Sequence, residues 1–453
     1  MNKEVQLNNM DVVMAALKLD SLQQPWNKYW ELSQVDYPGE DLPFLREPYL
    51  LEANRLLMLP ADAMDTLLQA AAEVRRSNLL SRFAWHCSYV LYRSEKNEGT
   101  EITFLPELEI MGRLAGMFPV LVLLSGLPQL IEFYEHKGIP EEILTDTLSD
   151  IKLCMEQYHA EHDIWKLHDM PWIYRHFQGK LYRLGRLQFE FYSFNGDLKV
   201  FRNQNTNKVI ALSASGITYR GDGMVDGTND VFDKAGAWVS MYESKNGYIV
   251  ANPVLPCGAA LKDTVKLSLS EWKPAFNKGD GMLNIHIPAG SRMDHSLCGE
   301  SFSKAVEFFP RHFPEKPFKG FMCISWLLDP QFQKILLPSC NIVKFQKEYY
   351  LYPVLSNDIE VFRSVFGGKP EDLTRLPVGS SLQAAVKGHY LSGGHLQPGG
   401  MFLLKEDLNW GQEVYQSGKI YRKEDDSCRM DQSPSSMGFA CGISWYVQGQ
   451  GDP

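Results

Sequence analysis

Near His162 the spacing of apolar residues switches from a helical period to a strand period, so the chain is neither a single bundle nor a single sheet. Before the switch, Leu144, Leu148, Ile151, Met155 and Tyr158 fall at i, i+4, i+7, i+11 and i+14, one face of a helix. That run opens with Pro140-Glu141-Glu142, where proline suits a first turn and the carboxylates suit the positive helix end. Leu67 to Val74 and Leu79 to Tyr92 read as further helices, with a bend between Pro119 and Pro128. Residues 1–162 are therefore expected to form an all-helical domain.

After the switch, Leu181 to Tyr192 alternates, with Leu187, Phe189 and Phe191 on one side and Arg186, Gln188 and Glu190 on the other. Strands are expected from Val200 and Val209 around a polar loop. Trp238 to Tyr242 and Tyr248 to Val250 bracket Asn246-Gly247, a hairpin signal. Met282 to Ile287 reads as a strand, and Cys298, Phe302, Ala305, Val306 and Phe309 form a helical stripe. Phe321 to Leu328 reads as a strand buried on both faces. Asp329-Pro330 is expected to start a helix through Leu336, and Ile342 to Tyr352 to return to strand. The fold class is α+β: the helical N-terminal domain, then a mixed sheet flanked by helices over 163–422, then a polar and partly mobile tail over 423–453.

The 453 residues carry 45 Lys and Arg against 55 Asp and Glu, a net charge of −10, which argues against binding a phosphate backbone; no nucleic-acid partner is expected. The N-terminus lacks the pattern of a signal peptide, and Met117 to Leu127 is shorter than the roughly 20 residues that span a bilayer. A cytoplasmic protein with no membrane partner is expected. Eight cysteines lie scattered without zinc spacing, so no metal is expected. Phosphate-loop, zinc-protease and nucleophile-elbow motifs are absent. Asp222 to Asp230 has the Asp-Gly pairs of tight turns, with a calcium loop as the other reading.

Four groups of residues carry chemistry, each with two readings. The loop Pro288 to Glu300 joins a strand to a helix N-terminus; Gly290, Ser291 and Arg292 would cradle an anion, or Asp294 or Ser296 would simply cap the helix. His286 shares a strand face with Asn284 and is either a proton acceptor or a histidine hydrogen-bonded between strands. Cys298, near His295 at a helix start, is either an activated thiol or a packing group. Trp165 to Glu190 gathers His168, Asp169, Trp172, Arg175, His176, Arg186 and Glu190, either around an interdomain cleft or in a buried polar network.

Several of these stretches resemble one family. Trp165-x-x-His168-Asp-Met-Pro-Trp172, the run His176 to Glu190, Ile285-His-Ile-Pro-Ala-Gly290 and Ser325-Trp-Leu-Leu-Asp-Pro330 look like bacterial two-domain acyltransferases, which join a helical N-acyltransferase N-terminal domain to a GNAT-like C-terminal domain. The resemblance implies acyl-CoA as co-substrate, bound where two parallel strands splay, its pyrophosphate on the loop that Pro288 to Glu300 would form. That loop lacks the R/Q-x-x-G-x-G/A pattern usual in the GNAT superfamily. It further implies transfer of the acyl group to an amine or hydroxyl of a small-molecule acceptor held between the domains by Trp172, Arg186 and His168. His286 is the first candidate for the catalytic base and Glu190 the second. The competing class is a non-catalytic protein that binds a small molecule or glycan through Trp172, Trp272 and Trp326. The scattered cysteines predict eight free thiols: alkylation in denaturant without reductant should label all of them, and a stoichiometric disulfide would contradict the cytoplasmic expectation.

Overall fold

The computed structural model describes residues 9–19, 26–39, 41–94, 105, 108–290 and 292–416. Ser291 and the expected tail 423–453 lie outside the described residues. The chain divides into two compact units between Arg183 and Leu184.

The first unit is helical, as its period requires. The expected helices are Ala61–Arg76, Asn78–Tyr92 and Glu141–His162, and the last buries Leu144, Leu148, Ile151 and Met155. The bend is real: Phe118–Leu124 and Leu127–His136 are separate helices, each with a proline in its first turn. The run Glu109–His136 is long and apolar enough to span a bilayer, with mean hydropathy 1.9, and about two thirds of its apolar window is buried inside this unit. The helical pattern also continues past His162. Asp169 caps a further helix, Met170–Phe177, through the Trp172 N–H at 3.4 Å. Eight residues offer barely two turns of period, so this helix reads as linker in the sequence.

The second unit is built on a six-stranded mixed sheet. Its strands are β1 (Leu181–Leu184), β2 (Leu187–Ser193), β3 (Gly281–His286), β4 (Gly320–Ser325), β5 (Tyr350–Pro353) and β6 (Gly399–Leu404). They lie in the order β1-β2-β3-β4-β6-β5. Pairing is antiparallel for β2 with β3, β4 with β6 and β5 with β6, and parallel for β3 with β4. The continuous strand expected over Leu181 to Tyr192 is two strands, because Gly185 takes φ +80° and turns the chain. The helix His295–His312 packs Phe302 and Phe309 on the sheet, with Phe302 4.8 Å from Phe321 and 5.8 Å from Phe189 between ring centroids.

Between β2 and β3 lies the expected β-rich meander of small antiparallel sheets. Its hairpin turns at Asn246-Gly247, both at positive φ, and joins Tyr242–Lys245 to Tyr248–Ala251; Trp238–Val239 pairs instead with Thr218–Tyr219. Three expectations after Gly320 change. The apolar run Phe321 to Leu328 stops being strand at Ser325 and turns through Trp326–Leu328. Asp329 does not start a long helix; its carboxylate accepts the Gln331 and Gln397 N–H groups, and a short helix follows at Phe332–Ile335. Ile342 to Lys347, expected as strand, belongs to the helix Asn341–Lys347. Burial of Val343 and Phe345, together with Gln346 amide bonds to Leu327 O (2.7 Å) and Asp329 O (2.8 Å), outweighs the β propensity of Ile and Val there.

Gly320 lies where β4 meets β6, and a Cβ there would sit 2.3 Å from the Leu403 carbonyl oxygen. Backbone cannot yield as a side chain does, so Gly320→Ala should cost roughly 1–3 kcal/mol. Urea unfolding should show a lower midpoint with an unchanged slope; an unchanged midpoint would mean that the strands part without penalty.

Candidate active site where two parallel strands part

β3 and β4 pair over only Leu283↔Phe321 and Asn284↔Met322, although β3 runs on to His286 and β4 to Ser325. Past that point each strand keeps its outer partner, β2 on one side and β6 on the other, and the two inner edges separate. The gap opens into a cavity of about 160 Å³. Asn284, Ile285 and His286 line one wall; Met322, Ile324, Ser325 and Trp326 line the other. Tyr192 from β2, the segment Leu355–Asn357 after β5, Glu360 and Pro398 complete it.

His286 and Glu190 meet here. The β2–β3 register sets Glu190 opposite Asn284 and Gln188 opposite His286, which puts all four on one face of the pair or its immediate diagonal. His286 Nε2 lies 2.8 Å from Glu190 Oε1, both side chains almost wholly buried, and Asn284 Nδ2 donates to the same oxygen at 3.2 Å. A carboxylate only accepts, so in this bond the ring nitrogen Nε2 is the donor to Glu190. His286 is hydrogen-bonded between strands, the second of its two readings, and it also lines the cavity.

At the helix that follows β3, the capping reading applies. Asp294 caps the helix His295–His312, accepting the Ser296 N–H at 2.9 Å and the Leu297 N–H at 3.2 Å. Its carboxyl is held below the usual range, first by the Ser296 hydroxyl and then by the Leu297 N–H, so the helix start is already occupied by an anion. Gly290, at φ +106°, and Arg292 stay exposed on the loop.

Arg186, expected to touch substrate, faces this loop from inside. Its guanidinium donates to Pro288 O at 2.8 Å and Arg292 O at 3.2 Å, and the residue is buried. It fastens both ends of the loop to the sheet. Cys298 is a packing group: it is fully buried and burial pushes its thiol up to about 12. All six cysteines among the described residues are free.

The other expected binding residues belong to the helical unit. Trp172 is buried, with its indole N–H 3.3 Å from Asp150 Oδ2, and His176 Nε2 reaches the same oxygen at 3.1 Å. Asp150 is further paired with Arg183 at 3.7 Å, so for these residues the buried-network reading applies. His168 is exposed and stacks on Tyr158 at 5.7 Å. Of the aromatic platform expected for a binding protein, Trp172 and Trp272 are taken up in packing and Trp326 lines the cavity. Trp326 is 1% exposed, and Trp272 packs against the cluster of Phe201, Ile210, Leu212 and Ile249. Among the described residues no acidic, His or Cys group forms a metal cluster, and the carboxylates of Asp222, Asp226 and Asp233 accept backbone N–H groups as turn residues do.

Sequence reasoning missed Ile324, Leu355, Glu360 and Pro398. Nothing local marks them, because three chain segments distant in sequence are brought to one opening.

The chain matches two family models, the N-acyltransferase N-terminal domain over residues 48–179 and the GNAT-like C-terminal domain over residues 181–402. No match is found among curated proteins. Solved structures share the fold. An acyltransferase in complex with decanoyl-CoA and teicoplanin aligns with a TM-score of 0.59 and 21% identity, over 87% of this chain and 98% of its own. A mutant acyltransferase in complex with octanoyl-CoA aligns with a TM-score of 0.59 and 20% identity over the same shares.

The Arg186 clamp predicts a contrast in stability. Arg186→Lys keeps a charge but loses the planar fork, and should cost about 1.5–3 kcal/mol, a fall in Tm of several degrees. Arg292→Ala, on the exposed rim, should leave Tm unchanged. Equal Tm values for Arg186→Lys and the wild type in a thermal melt would show that the loop does not need the fork.

Proposed function

Because the chain belongs to the two-domain family that joins an N-acyltransferase N-terminal domain to a GNAT-like C-terminal domain, we propose that it transfers an acyl group from acyl-CoA to an amine or hydroxyl of a small acceptor. One observation carries this reading: β3 and β4 part after two residue pairs and leave a cavity between their inner edges, lined by a histidine that a buried carboxylate orients. Two parallel strands normally stay paired to satisfy their backbone groups. Edges that separate next to a cavity offer those groups to an extended amide-bearing ligand such as the pantetheine arm.

The chemistry then needs little from the protein. The acceptor heteroatom attacks the thioester carbonyl, a C–N or C–O bond forms, the C–S bond breaks, and CoA leaves with its sulfur. Backbone N–H groups on the parted edges steady the oxyanion. His286 takes the acceptor's proton while Glu190, which also accepts from Asn284, orients the ring. Exclusion of bulk water from a largely apolar cavity protects the thioester from hydrolysis.

The pyrophosphate would rest on Gly290 and Arg292 instead of on the first turn of the following helix, where Asp294 already sits. A cytoplasmic setting, where CoA esters and free thiols both occur, goes with this reading.

Two measurements test it. Calorimetric titration with CoA and acetyl-CoA should show binding, weakened about tenfold by Arg292→Ala at low salt and less so at high salt. His286→Ala should leave acetyl-CoA affinity within about twofold. It should also lower acceptor-dependent release of the CoA thiol by roughly 10²–10⁴, the range typical of a lost general base. Failure of the wild type to bind either ester or free CoA would overturn the reading, and full activity in His286→Ala would remove the histidine from it.

A further inference from the structure

The Asp-Gly-rich segment singled out in the sequence is bonded to Ser356, a residue that lines this cavity, and to Leu396. Asn229 N–H donates to Ser356 O at 2.9 Å and its amide donates to Leu396 O at 2.8 Å, with Asn229 and Asp230 both held at φ +57°. The Asp226 carboxylate accepts the Asp233 N–H at 2.8 Å. Asp233 in turn accepts the Gly221 and Gly236 N–H groups at 2.9 and 2.8 Å. Residues 226–233 are thereby pinned to Ser356 and Leu396, next to the lining residues Leu355 and Pro398.

On this pinned loop Phe232 stands 64% exposed, beside Leu355 at 65%. The two side chains flank Gly227, where a Cβ would lie 3.2 Å from the Phe232 ring and 3.6 Å from Leu355 Cδ1. Leu355 shares the cavity with Ile324, itself 50% exposed although it comes from an apolar run in a central strand. One exposed apolar residue needs no account; a connected series leading out of a cavity marks a contact surface.

The two walls of the cavity differ in kind. The β3 wall presents Asn284 and His286, which share the buried Glu190 carboxylate, whereas the polar groups across from it bond to backbone or to Arg363. Ser325 Oγ accepts the Leu327 N–H at 3.2 Å and Ser356 Oγ donates to Pro398 O at 2.9 Å. Asn357 Oδ1 accepts the Ile359 N–H at 3.1 Å, and Glu360 pairs with Arg363 at 2.7 Å. A substrate therefore meets reactive groups on one side and, on the other, mainly carbon that continues outward over Leu355 to Phe232.

We propose that Ile324, Leu355 and Phe232 form an apolar ledge that carries the distal carbons of the donor's acyl chain out of the cavity. The preferred donors are then acyl-CoAs whose chains outrun the enclosed space. This rests on the acyl-CoA reading above and assigns its chain-length preference to named residues. The thioester stays against the β3 wall, and each methylene that leaves the cavity is covered by the ledge instead of by water.

The test is calorimetric titration of the full chain with free CoA, acetyl-CoA and decanoyl-CoA. Wild type is compared with Phe232→Ser, Leu355→Ser and the double variant, with thermal melts to check that these exposed changes leave the fold intact. Wild type should bind decanoyl-CoA at least tenfold more tightly than acetyl-CoA. The double variant should lose about tenfold of decanoyl-CoA affinity, roughly the contact of two methylenes, and keep its affinity for acetyl-CoA and CoA. A decanoyl preference equal in wild type and double variant overturns the ledge and sends the chain elsewhere. An equal loss for acetyl-CoA and decanoyl-CoA also overturns it, since the residues would then act on the shared CoA moiety. No binding of any CoA species to the wild type overturns the acyl-CoA reading itself, and the ledge with it.

Discussion

The parting of β3 and β4 is the constraint on which the rest of the site depends. A parallel pair joined over two residues and then released opens a gap in the middle of a sheet, where backbone polar groups are otherwise matched on both sides. The gap persists because each strand is anchored outward, β3 along all six of its residues to β2 and β4 along all six of its residues to β6. The cost of the unpaired edges is borne by a well-tied frame, and the aromatic contacts of Phe189, Phe302 and Phe321 stiffen the sheet beneath it.

On that frame, polar and apolar demands are divided between two strands. β3 alternates toward Glu190 and places His286 and Asn284 around one carboxylate oxygen. The β4 side supplies mainly carbon, and Ser325 Oγ there accepts the Leu327 N–H. Arg186 ties the loop after β3 to the sheet by two carbonyl bonds, so the segment that follows the reactive strand is held without help from a ligand. A buried arginine bonded to backbone carbonyls has a positioning role.

Legibility in the sequence follows the range of the forces involved. The helical stripe from Leu144 to Tyr158, the strand carrying His286 and the stripe around Phe302 are local patterns, and they appear where expected. Misreadings cluster where tertiary bonds outweigh propensity. Ile342 and Val343 favour strand by themselves, yet the Gln346 amide, bonded to Leu327 and Asp329, holds that stretch in a helix. Trp172 and Arg186 look alike in the sequence, as polar-aromatic neighbours near a domain boundary. Their partners separate them, one spent on Asp150 and the other on loop carbonyls.

By itself the sequence determined the two-part α+β organisation, the strand that bears His286, the absence of familiar hydrolase and nucleotide motifs, and a family resemblance matched by both domain models. These rest on period, turn chemistry and short-range spacing, which a chain carries before it folds. The tertiary structure alone decided that β3 and β4 separate, that Glu190 rather than solvent faces the histidine, and that an Asp-rich turn far upstream is bonded to the cavity-lining Ser356 with Phe232 exposed. Each of these depends on register and on contacts between segments distant in the chain, as with Glu190 and His286 or Asn229 and Leu396, and no local pattern encodes them.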